Sequence, residues 1–121
     1  GGSVHPDHIT LHHVVKRLYV ELKEEIATLQ RLCFCVLPAE HIAHWPRKVY
    51  GVRDEHIHAV IDVSAVHELE SLALHAHETV HRDMEEHNYD NWMLWEKEYF
   101  SFFHEAYHPP VGDLFHELIP D

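Results

Sequence analysis

The chain has 121 residues, 45% hydrophobic and 25% charged, the proportions of one ordinary globular domain with a single modest core. Its formal net charge is -12 with histidine neutral, and no cluster of Lys and Arg is available to displace counterions, which argues against a nucleic-acid partner. No apolar run approaches the ~20 residues that span a bilayer and no signal peptide is visible, so the expectation is a cytoplasmic protein that makes no membrane contact.

In chain order, Gly1-Gly2-Ser3 reads as a tag remnant, residues 1–6 as an N-terminal arm, and residues 7–121 as a single domain. Residues 8–31 carry apolar side chains at 11, 14, 15, 18, 22, 26 and 29, the stripe of an amphipathic helix, with Asp7 placed to cap it after Pro6. Residues 32–37, "LCFCVL", predict a short strand closed by Pro38, and 38–46 a loop. Cys33 and Cys35 share a face of that strand one residue apart, where a mutual disulfide is strained, so they read as two reduced thiols. "RKVYGV" and "HIHAVIDVS" predict two further strands joined by a hairpin turn at "VRDE". Residues 65–88 return to helical periodicity, with Val66, Leu69, Leu72, Ala73, Ala76, Val80 and Met84 as the stripe. Residues 92–108 predict a last helix, ended by Pro109-Pro110, and 109–121 form an irregular tail. The fold class is α+β: a backing helix, a small three-stranded, mainly antiparallel sheet, and two helices packed on it.

Histidine is the unusual residue, at 16 of 121. Within "LHAHETVHRDMEEH", His77, Glu78 and His81 spell H-E-x-x-H. On a helix, positions i and i+4 lie about 40° apart on one face, so two imidazoles can chelate one ion while the intervening glutamate reaches a bound water. In a chain this rich in His and Glu, a shuffle throws up the motif roughly one time in four or five. A second copy runs from His104 to His108. Helical wheels separate the two. His77 and His81 stand at the edge of the apolar arc formed by Val66, Ala73, Val80 and Met84, whereas His104 and His108 share a polar arc with Lys97, Ser101 and Glu105 and read as a solvated face.

A catalytic zinc site expects a third protein ligand. His87 completes a spacing similar to the metzincin motif, but Met84 stands where that motif has its turn glycine, and on an unbroken helix His87 lies about 240° from His81. Glu98 is a second candidate. Glu96 ranks ahead of both, because on the last helix it falls among Trp92, Tyr99, Phe100, Phe103 and Tyr107, where a carboxylate is costly unless it is paired or bound to a metal.

With these residues in place the sequence resembles a small zincin of the gluzincin type. The resemblance implies a backing helix (8–31), a strand (56–64) along which a peptide or protein substrate lies, Zn²⁺ held by His77, His81 and Glu96, and Glu78 as general base for peptide hydrolysis. Tyr99, Tyr107, His104 or His58 would supply an oxyanion or proton donor, and the sequence leaves the choice among them open. Two other readings accompany it: a non-catalytic histidine-rich metal buffer or sensor, which would also use His8 and His12, and a small interaction domain without metal. A di-iron site using Glu78/His81 and Glu105/His108 conflicts with the strand-rich middle of the chain. Oligomeric state is left open.

Overall fold

The computed structural model describes residues 4–45, 49–78, 82 and 95–118. Among the described residues the architecture is α+β, with two bounded helices and a small three-stranded antiparallel sheet. The chain divides into two compact units, residues 1–61 with 99–121, and residues 62–98.

The first unit opens on helix α1, Pro6–Leu22. Its cap is His5, two residues earlier than the expected Asp7: the His5 Nδ1 accepts the Asp7 N–H at 3.2 Å, Pro6 fills the first turn where no N–H is needed, and Asp7 lies in that turn. The helix stops at Leu22 rather than 31, and Lys23 to Leu29 continue as successive turns. The face it buries is also rotated from the apolar stripe. Tyr19 is buried and His12, Val15 and Lys16 are half-buried, while Leu11, Val14 and Leu18 stay exposed. Specific contacts explain the rotation. His12 lies against Phe34 with ring centroids 4.4 Å apart, the Lys16 ammonium sits 4.6 Å over the Phe103 ring, and the Tyr19 hydroxyl donates to the Gln30 carbonyl at 3.1 Å.

Strand β1, Cys33–Val36, forms where the apolar run predicted it. Strands β2, Ala59–Asp62, and β3, Lys97–Phe102, complete the sheet in the order β1-β3-β2. β3 pairs antiparallel with β1, Cys33 opposite Phe102 and Val36 opposite Tyr99. The helix expected over 92–108 is therefore corrected: residues 97–102 are the central strand. In "KEYFSF" each strand face mixes polar and aromatic residues, Lys97, Tyr99 and Ser101 on one and Glu98, Phe100 and Phe102 on the other, so no apolar alternation marks it, and its aromatics also fit a helical wheel. The hairpin through "VRDE" is corrected as well. Asp54–His56 forms a single 3-10 turn, and Val52 instead bonds in parallel beside Pro38, giving its N–H to Leu37 and accepting from Ala39, both at 2.8 Å. A tight hairpin favours Gly or Asn at its centre, and "VRDE" has neither. Gly51 permits the close approach beside Val52, since a Cβ there would stand 2.6 Å from the Ala39 Cα. Among the described residues, the buried hydrophobic side chains of this unit are Tyr19, Ile42, Ile57, Ala59 and Phe102.

In the second unit the Asp62 carboxylate accepts the Ser64 N–H at 3.0 Å, a 3-10 turn follows at Ser64–Val66, and helix α2 spans His67–His75. Glu68 and Glu70 lie in its first turn, where the helix dipole favours negative charge. The helix expected over 65–88 ends early, with Ala76 as C-cap. The Val63 N–H donates to the Glu96 carbonyl at 2.8 Å.

Candidate functional site

The end of α2 sets the geometry of the first H-E-x-x-H. The Ala76 N–H donates to Leu72 and the His77 N–H to Leu74, each at 3.1 Å, the second being an i to i-3 bond that tightens the last turn. His75 is tied back onto its own helix, its Nδ1 2.7 Å from the Ser71 carbonyl. His77 stands just past the cap, and its side chain is exposed, as is that of Glu78. Glu78 and Arg82 are helical. His81, Val80, Met84, His87 and Trp92 lie outside the described residues. The expectation that one continuous helix carries Val66, Ala73 and the motif on a single face is corrected, because α2 terminates at His75 and places His77 in a bend.

Of the third-ligand candidates, Glu96 would be buried among aromatics on a helix. The structure instead leaves it exposed immediately before a strand, in the same unit as His77 and Glu78. Glu98 is half-buried within β3. Among the described residues no three His, Cys, Asp or Glu side chains cluster closely enough to hold a metal ion.

The second copy is not a helical motif. His104 takes φ of 67°, in the left-handed region, and stacks on Phe103 with centroids 3.8 Å apart. Glu105 is engaged by Arg31. The guanidinium side chain is 5% exposed, its Nε donates to both Glu105 oxygens at 3.1 Å and its Nη2 to Oε2 at 2.6 Å. It also donates to the Leu114 carbonyl at 2.6 Å, the His116 carbonyl at 2.9 Å and the Tyr107 hydroxyl at 3.2 Å, and it lies 4.5 Å over the Phe102 ring. The Glu105 carboxylate keeps this guanidinium firmly charged. The carboxylate that needed a buried cation was thus Glu105, not Glu96, and the sequence signal was a lone Arg immediately before an apolar strand.

The four candidate donors have their own environments in the first unit. The Tyr107 hydroxyl accepts from Arg31 and donates to Glu117 at 3.2 Å; burial and the Glu117 contact push it up from the ordinary tyrosine value. Tyr99 is also pushed up, by burial and then by Glu40. His104 is stacked on Phe103. His58 is 6% exposed, and its Nδ1 accepts the Phe102 N–H at 3.0 Å. Its ring is therefore held by the main chain of β3.

The strand expected to receive a peptide is engaged along residues 58–60. The His58 N–H donates to the Phe100 carbonyl at 2.8 Å, the His58 carbonyl accepts the Val111 N–H at 3.0 Å, and the Val60 N–H donates to the Val111 carbonyl at 2.9 Å. Burial pushes the Cys33 thiol up from its ordinary value, in keeping with a reduced thiol. No helix of the described residues is long and apolar enough to cross a membrane. Comparison with protein-family models, curated proteins and solved structures finds no match.

Proposed function

We propose that this chain is a zinc-dependent hydrolase of peptide bonds, with His77 and His81 as imidazole ligands, Glu78 as general base and Glu96 as the third ligand. The observation that supports it most is the exposed His77-Glu78 pair directly after the α2 cap, four residues before a second histidine. The donor set suits Zn²⁺, since two neutral imidazoles and a carboxylate leave one position open for water or substrate.

A bound Zn²⁺ at these residues would polarise the scissile carbonyl and bring the pKa of a water towards ~7. Glu78 accepts the proton of the attacking water and returns it to the departing amine. Glu78 lies beside the chelating pair in sequence but outside the i, i+4 spacing, which suits a carboxylate that handles protons rather than holding the ion. The substrate class is an extended peptide. Residues 58–60 already carry Val111, so peptide contacts fall elsewhere on the chain.

The role of Glu78 is tested by Glu78→Gln with zinc supplied. Hydrolysis of a casein substrate should fall by at least ~10²-fold while the zinc content stays unchanged. Full activity in the variant, or loss of its zinc, contradicts the assignment. An inert metal-binding protein would show equal metal in both proteins and hydrolysis by neither.

A further inference from the structure

His58 holds two pieces of main chain together in the first unit. Its ring accepts the Phe102 N–H of β3 at 3.0 Å, and its carbonyl accepts the Val111 N–H at 3.0 Å. An amide N–H can only donate, so Nδ1 must carry a lone pair and the imidazole must be neutral in this arrangement. His108, at the start of the segment that Val111 belongs to, meets the His58 ring edge-on, with centroids 5.7 Å apart.

We propose that His58 is an acid-sensitive latch, and that its protonation releases residues 108–112 from the edge of β2. A proton on Nδ1 would face the Phe102 N–H head-on, removing the hydrogen bond and leaving a charge at a site that is 6% exposed. The titratable groups facing His58 do not rescue that charge. His108 from the C-terminal segment and His56 from the 3-10 turn both oppose it, and Glu55 of that turn contributes a main-chain hydrogen bond. Arg31 reaches the same Phe102 ring, and its charge is matched by Glu105.

Burial first, then His108 and His56, lower the His58 pKa from 6.5, partly offset by the main-chain bond to Glu55, while the Phe102 N–H on Nδ1 itself favours the neutral ring. Once released, the ring returns to its ordinary value. The open form therefore binds the proton first. As pH falls below 6.5 the ratio of open to closed grows by up to about tenfold per pH unit, and it levels off once the closed form also protonates. Arg31 confines the opening. It grips Glu105 and Tyr107 before the segment and the Leu114 and His116 carbonyls after it, and its charge does not titrate in this range.

Amide exchange measured by NMR between pH 7.5 and 5, corrected for intrinsic rates, tests the latch. Protection of Val60, Phe102 and Val111 should fall together below about pH 6.5, while Phe103, bonded to Leu32, keeps its protection. In His58→Asn the side-chain oxygen still accepts the Phe102 N–H without titrating, and protection should be flat with pH. An equal loss in both proteins, or Phe103 losing protection in step, overturns the proposal. The wild-type protein also decides it alone. The His58 ring-nitrogen shifts must titrate at the midpoint of Val111 release, and separate midpoints overturn it.

Discussion

Arg31 ties several segments of the first unit together. One guanidinium joins the start of β1 to Glu105, Tyr107 and the carbonyls of Leu114 and His116. With Arg31 almost fully buried, losing its carboxylate strands a charge away from water. Glu105→Gln should cost about 1.5–3 kcal/mol, read as a lower urea midpoint at unchanged m-value. A change below ~0.5 kcal/mol would contradict the pairing. The left-handed turn at His104, stacked on Phe103, takes the second H-E-x-x-H out of the helical spacing that brings two imidazoles onto one face. His104→Ala should leave the zinc content unchanged, as measured by elemental analysis.

At the scale of elements, α1 shows where periodicity misleads. The stripe correctly identified a helix, but only its Val15 and Leu22 edge turns inward while Leu11, Val14 and Leu18 stay exposed, because Tyr19, His12 and Lys16 make the specific contacts with Gln30, Phe34 and Phe103. Tyr19→Ala should therefore destabilise by about 3–5 kcal/mol, while Leu18→Ser stays within about 0.5 kcal/mol. Equal large losses would restore the sequence-derived face. β1 was legible because "LCFCVL" is short, rich in strand formers and closed by Pro38. β3 was not, because polar and aromatic residues are mixed on both of its faces, and Tyr99, Phe102 and Phe103 also sit together on a helical wheel. The reversal cost the site its expected third-ligand helix. The break in α2 after His75 was equally hidden, since the apolar residues keep helical spacing straight through it and neither glycine nor proline marks the stop.

For the molecule as a whole, the sixteen histidines stand in at least three settings. His5 caps α1, and His58 is built into the sheet as a main-chain acceptor. His77 stands exposed beside Glu78. Residue counts alone cannot separate these uses, because the same imidazole caps, accepts or coordinates according to what surrounds it. Metal content, site by site, separates them. The most direct measurement is elemental analysis of the zinc-equilibrated, dialysed protein alongside His77→Ala and His81→Ala. About one zinc per chain in the wild type, lost in both variants, is the predicted result. No zinc in the wild type, or zinc retained in the His77→Ala variant, would contradict the account.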